Sequence, residues 1–195
     1  MLAPARPLIE SSAQGMRALP DPREAPDEVR DAVLASSRVV PYVELRAITI
    51  NRCHAEVLQY GVTDPLEVQV STSGRWGVTD DRDQFQAEVS VDLQSGTTPE
   101  NPAWTISVSL LLTYAVEPDA KIEPAAFDAY AGTGAVFTAW PYAREVVQSL
   151  TNRMGFPPLV LPLLKTPLDV IAFSRSSEPQ ETLMPLPPVP TFQRT

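Results

Sequence analysis

The chain has 195 residues, which suits one domain with extensions or at most two small domains. Its apolar share of 44% allows a core, while 15 Lys and Arg against 24 Asp and Glu leave a net charge of −9. That balance argues against a nucleic-acid backbone or an anionic membrane surface as the main partner, because both are bound by neutralising negative charge; it suits docking onto basic protein surfaces.

The opening stretch "MLAPARPLIESSAQGM" has no long apolar segment and carries Glu10 early, so it does not read as a secretory signal. Nowhere do apolar residues continue for the roughly 20 positions a membrane-spanning helix needs, so no membrane insertion is expected and the cytoplasm is the default compartment. The 21 prolines crowd toward the ends, in "LAPARP", "LPDPREAPDE" and "MPLPPVP". Residues 1–40 and 176–195 are therefore expected as extended arms flanking a domain at 41–175. Within the first arm, "APDEVRDAVLASSR" predicts a short helix with Asp27 as cap and Val29, Val33 and Leu34 on one side.

From Tyr42 the period changes to two. "VELRAITINRCHAEV" places Val43, Leu45, Ala47 and Val57 on one face, and charges together with Ile48 and Ile50 on the other. That mixture suggests a strand whose two faces each meet protein over part of their length. "LEVQVS" repeats the alternation with Leu66, Val68 and Val70. In "QFQAEVSVDL", Phe85, Ala87, Val89, Val91 and Leu93 share a face. In "WTISVSLLLTYAV", Trp104 to Val116 alternates with small polar residues. With turn residues in "GVTD", "TDDRD" and "QSGTTPENP", these segments predict a four-stranded antiparallel meander with one apolar face.

Beyond the strands the pattern becomes helical. "IEPAAFDAYAG" predicts a short helix between Pro124 and Gly132, and "GTG" at Gly132 to Gly134 reads as a turn. "YAREVVQSLTNRM" puts Tyr142, Val146, Leu150 and Met154 on one stripe, with Ala143 and Val147 beside it. Gly155 is the stop, and Pro141 either opens this helix or kinks one that starts near Thr133. A one-faced sheet with helices packed on that face is an α+β layer domain.

Catalytic and metal chemistry find little to stand on. Cys53 is the single cysteine and excludes an intrachain disulfide and a Cys-rich zinc module; on its alternating strand it reads as packed. His54 is the single histidine, and on a strand its side chain points away from that of its neighbour Cys53. Asp80 and Asp81 read as solvated turn residues, and "GTG" lacks the length and the lysine of a phosphate loop. No enzyme, cofactor or metal is expected. What stands out is "FPPLVLPLL", Phe156 to Leu164: bulky apolar residues among three prolines that forbid regular strand pairing. It reads either as a crossover segment packed on the sheet or as the wall of a groove for extended apolar polypeptide.

The segment "WPYAREVVQSLTNRMGFPPLVLP" resembles the signature of the SecB export chaperones, in which an aromatic–Pro–Tyr–Ala–Arg–Glu helix leads to Gly-Phe-Pro and an apolar crossover. Trp140, Pro141, Tyr142, Ala143, Arg144, Glu145, Gly155, Phe156, Pro157 and Leu159 carry the match, and a looser likeness runs from about Tyr42 to Phe173. The resemblance implies an ATP-independent holdase, assembled as a dimer of dimers, whose apolar grooves bind unfolded polypeptide. On that basis Phe137, Trp140, Tyr142, Phe156, Leu159, Leu161 and Phe173 are the expected client surface, with ordinary core packing the competing account for each. The clients implied are preproteins, with a SecA-type translocase motor as a further partner, although no docking site for it matches residue by residue. The long N-terminus and "AYAGTGAVFTAWPYARE" are similar, too, to the SecB-like chaperones of toxin–antitoxin–chaperone systems, which implies an antitoxin as a dedicated client. A small-molecule-binding α+β domain, its apolar layer lining a closed pocket, is the alternative of another class.

Overall fold

The computed structural model describes residues 27–61, 66–79, 83–98 and 100–164. Phe173, most of the N-terminal arm and the Pro-rich tail lie outside the described residues. The elements are helix α1 (Asp27–Ser37), strands β1 (Val43–Val57), β2 (Glu67–Val78), β3 (Gln84–Thr98) and β4 (Asn101–Val116), and helices α2 (Pro124–Tyr130) and α3 (Val136–Arg153).

The four strands form one antiparallel sheet, but its order is β1-β4-β3-β2, so the expected meander holds only for β2, β3 and β4. Strand β1 lies at the far edge, beside β4. The residues between Val57 and Glu67 are too many for a tight hairpin. They have ample reach to carry the chain across three inter-strand spacings, about 15 Å in all.

Alternation decides the two faces of the sheet. Phe85, Ala87, Val89, Val91 and Leu93 of β3 pair with Tyr114, Leu112, Leu110, Val108 and Ile106 of β4, and all ten are buried beneath the helices. The opposite face carries serines, threonines and glutamines. Against the apolar face, α2 and α3 are joined without a break by a π-helical turn, Ala131–Ala135, in place of the expected "GTG" turn. Small residues permit this seam to sit close to the sheet. A Cβ on Gly74 of β2 would lie 3.1 Å from the Ala131 carbonyl, and one on Gly134 would lie 2.5 Å from the Tyr130 ring. That ring is held in turn by Phe85 and Tyr114, at centroid distances of 5.8 and 5.5 Å. Phe85 stacks on Phe127 at 4.9 Å, and the Trp76 indole donates to Asp128 over 3.0 Å, tying β2 to α2.

Helix α3 begins before Pro141, so this proline is internal to it. Its buried stripe is Val136, Ala139, Trp140, Ala143, Val147 and Thr151. The expected stripe was displaced around the helix: Tyr142 is exposed, and Val146, Leu150 and Met154 are half-buried. In α1, Asp27 is the first helical residue, Leu34 is exposed and Val33 half-buried. The helix packs against α2 and the π-helical turn.

Candidate polypeptide-binding surface

Helix α3 ends in a Schellman motif. Gly155 takes φ +84°, its N–H bonds the Asn152 carbonyl, and the Phe156 N–H bonds the Thr151 carbonyl. Glycine adopts that left-handed conformation without strain, so the chain reverses here and Phe156 lands 6.2 Å from the Trp104 ring. The proline-rich segment then runs back along the helix. Prolines remove donors and strand pairing, so its backbone needs partners from side chains. Helix α3 supplies three of them from one stripe. The Trp140 indole N–H donates to the Pro162 carbonyl over 2.7 Å, and the Arg144 Nε donates to the Leu161 carbonyl over 2.7 Å. The Leu159 N–H donates to the Thr151 hydroxyl over 3.0 Å. Arg144 is thus a structural clamp.

These contacts sort the expected client residues. Trp140 and Leu161 are each 2% exposed and belong to the core of this subunit, so neither offers surface for a client to cover. Phe137, Phe156 and Leu159 are half-buried against that core. Tyr142 stands out on the solvent side of α3, as the helical offset from Trp140 requires. Among the segment's branched aliphatic side chains, Val160 and Leu163 are the exposed ones, and neither is in the expected client set.

The larger omission lies on β1. Pairing with β4 skips Arg46 and Asn51, which makes each a single-residue bulge. Between the bulges the alternation inverts. Val43, Leu45, Ile48, Ile50, Cys53, Ala55 and Val57 lie opposite Val116, Tyr114, Leu112, Leu110, Val108, Ile106 and Trp104. Every one of those partners is buried on the helix-bearing side. The mixed faces read from the sequence therefore resolve into one apolar and one polar face, with Glu44, Ala47, Thr49, Arg52, His54 and Glu56 on the latter. Cys53 and His54 do face apart, but Cys53 is exposed where packing was expected. The helices cover β3 and β4 and reach β2, but they leave β1 only partly covered among the described residues: Val43, Ile48 and Ala55 are half-buried against the core, whereas Ile50 is 55% and Leu45 39% exposed. This strip is a continuous run of apolar side chains on a sheet edge, next to unpaired backbone groups.

On the polar face one carboxylate binds all four strands. Glu88 of β3 is 3% exposed and accepts from the Ser109 hydroxyl of β4. It also accepts from Asn51 Nδ2 of β1 over 3.1 Å and from Arg75 of β2 over 2.9 and 2.6 Å. Burial alone would raise its pKa; the hydrogen bonds from Ser109, Asn51 and Arg75 and the Arg75 charge outweigh it and hold the carboxyl below its ordinary range. Burial pushes the Tyr114 and Tyr130 phenols up, which keeps both protonated and inert. A shallow open hollow of about 260 Å³ beside α3 is lined by the polar set Glu145, Gln148, Ser149 and Asn152 together with Pro158. Among the described residues no group of three His, Cys, Asp or Glu side chains could hold a metal ion, and no helix is long and apolar enough to cross a membrane.

No protein-family model matches the chain. Over 42 residues, 22% of its length, it is 48% identical to the SecB-like chaperones Rv1957 and MT2006 of two Mycobacterium tuberculosis strains. The matched stretch spans 23% of those relatives. A solved structure, the M. tuberculosis Rv1957 SecB-like chaperone in complex with a ChAD peptide from the Rv1956 HigA1 antitoxin, superposes with a TM-score of 0.61 at 23% identity. That superposition covers 69% of this chain and 99% of the relative. The likeness to SecB-like proteins therefore holds twice over, in sequence along about a fifth of the chain and in fold across the four-stranded sheet and its helices.

Proposed function

We propose that this protein is an ATP-independent chaperone that holds an extended, apolar polypeptide, with an antitoxin as its dedicated client. The observation that carries this reading is the partly uncovered apolar strip of β1. A chain that spends side-chain area on Leu45 and Ile50 and then leaves much of it in water has a surface suited to being covered. Support comes from the structural relative, which was solved with an antitoxin peptide bound. Each client side chain adds only about 25 cal/mol per Å² of apolar surface covered, so several weak contacts must act together. Assembly of four copies as a dimer of dimers, which the resemblance implies, would supply them. Of the sequence-derived set, Tyr142 and the half-buried Phe137, Phe156 and Leu159 stay in the proposed client surface, joined by Val160, Leu163 and the β1 strip. Phe173 keeps its proposed place there on the resemblance alone. Trp140 and Leu161 act by fixing the proline-rich segment.

The reading includes no enzymatic step and no cofactor: the described groups with displaced pKa values are sealed or saturated, and none lines an open cleft. A general role toward preproteins is compatible, because a strip of aliphatic side chains reads no particular sequence. In that role Asp92, exposed on the polar face, is a candidate contact for a SecA-type motor, whereas Glu88 is fully engaged. Light scattering of an aggregating unfolded protein with and without this chain, run beside a mass measurement, tests the proposal. Suppression by a tetramer, with tighter binding of an antitoxin C-terminal peptide than of generic unfolded chains, is the expected result. A monomer that neither binds peptide nor slows aggregation would leave the chaperone reading without support and favour a small-molecule-binding domain.

A further inference from the structure

The apolar strip exists only while two bulges persist. Strict alternation back from Val57 would place Asn51, Thr49 and Ala47 on the helix side and send Ile48 and Ile50 to the polar face. Burial supplies only part of the force against that slip, since Ile48 is half-buried against the core but Ile50 keeps 55% of its surface in water in the observed register. Something else must hold residues 47–50 inverted.

The second bulge has a visible anchor. Asn51, the extra residue, sends its Nδ2 across β4 to Glu88 Oε1 of β3, 3.1 Å away and two strands distant. Glu88 is itself immobilised by Ser109 and by the Arg75 guanidinium, whose Nε and Nη2 lie at 2.9 and 2.6 Å. A side chain held on three sides is a rigid acceptor, and slip would carry Asn51 to the opposite face and break its bond. The first bulge has no comparable tether: Arg46 bonds Glu44 two residues away, with both side chains more than half exposed. We propose that Asn51 and Glu88 form a register lock, and that they are positioning residues for the client surface because they keep Ile48 and Ile50 in line with Leu45 and Cys53. The functional half of this inference rests on the chaperone reading; the register half stands on geometry.

Two variants separate the lock from simple stability. Asn51→Ala keeps the extra residue and removes the tether. Deleting Asn51 removes both, and the pairs Ile50 with Leu110 and Arg52 with Ser109 become consecutive, so residues 47–57 alternate without a break and only the Arg46 bulge remains. The full chain is methyl-labelled, and cross-peaks between Ile48 and Leu112 and between Ile50 and Leu110 report the register. Binding is read by fluorescence anisotropy against reduced, S-carboxymethylated α-lactalbumin, a protein that stays unfolded.

With Asn51→Ala, both cross-peaks should weaken and affinity should fall about tenfold, the loss set chiefly by Ile50, the more exposed of the two isoleucines. The deletion should retain the cross-peaks and affinity within about threefold of wild type. Cross-peaks that persist in Asn51→Ala would overturn the lock, whatever the affinity does. Equal losses in both variants, tracking their melting temperatures, would overturn it as well and reduce Asn51 to ordinary structural support. If wild type binds no probe, the chaperone reading fails, while the cross-peaks still decide the register.

Discussion

Replacing Leu45 and Ile50 together by serine tests the proposed client surface directly. Full burial of an Ile or Leu side chain is worth about 1.5–3 kcal/mol, and only the part still in water can be gained from a client. Ile50 is 55% and Leu45 39% exposed. A client that covers both therefore gains roughly 0.8–1.7 kcal/mol at the first and 0.6–1.2 at the second, about 2 kcal/mol in sum. That converts to about a thirtyfold loss of affinity for the double variant and about tenfold for Ile50→Ser alone.

Anisotropy of a labelled unfolded protein or antitoxin-type peptide reads the loss, and circular dichroism with a melting curve shows that the sheet persists. The control is Tyr60→Ser, which removes an apolar group that is 84% exposed but lies beyond the end of β1. It should bind as wild type does. Unchanged affinity in a folded double variant would refute the assignment of the strip. An equal loss with Tyr60→Ser would show that any surface grease serves, which is nonspecific adsorption.

Three further outcomes follow from the packing. Trp140→Ala should cost about 3–5 kcal/mol by emptying a fully buried site, and it also strands the Pro162 carbonyl; a melt showing a small loss would mean that the proline-rich segment is held by something else. Gly134→Ala gains about 1 kcal/mol of helix propensity but drives a methyl into the Tyr130 ring, which Phe85 and Tyr114 prevent from yielding; we expect net destabilisation of about 1–3 kcal/mol in a denaturant titration. Glu88 has a folded-state pKa below its unfolded value of 4.5, so its contribution is complete above pH 4.5 and is lost as pH falls through the folded value. Glu88→Gln should therefore be less stable than wild type at pH 7, and the gap should close on acidification; a gap that widens toward low pH would reverse the assigned direction.

Much of this architecture was legible because it rests on local rules. The alternation of β3 and β4 marks a central pair of strands, and Gly155 stops α3 where a left-handed residue is needed. The clamp residues lie inside the segment that carries the family likeness, although their job, satisfying a proline-broken backbone, shows only once Thr151, Arg144 and Trp140 are seen against 159–162. What was not legible is non-local. The position of β1 beside β4 depends on how the chain crosses the end of the sheet, which no periodicity encodes. The partner of its second bulge, a hydrogen bond from Asn51 to a carboxylate two strands away, is equally invisible to local pattern. Trp140 and Tyr142 both belong to the expected client set, yet a helix already under way at Pro141 cannot turn both the same way. The start of α3 at Val136 fixes the helical phase and separates them, one inward and one outward.

Leaving an edge strand with part of its apolar face in water carries a hazard, since such edges template aggregation. Strand β1 answers it on the polar side and along its length. Glu44, Arg46, Arg52, His54 and Glu56 put charged or ionisable groups at short intervals, and the two bulges spoil the flat, regular ladder that another edge would need. Backbone pairing is thereby discouraged while side-chain contact on the helix side stays open. A segment selected for that surface would be apolar and extended, and it would be held through its side chains more than through a continuous ladder. Such binding would tolerate variation in client sequence and release readily, as the proposed ATP-independent role requires.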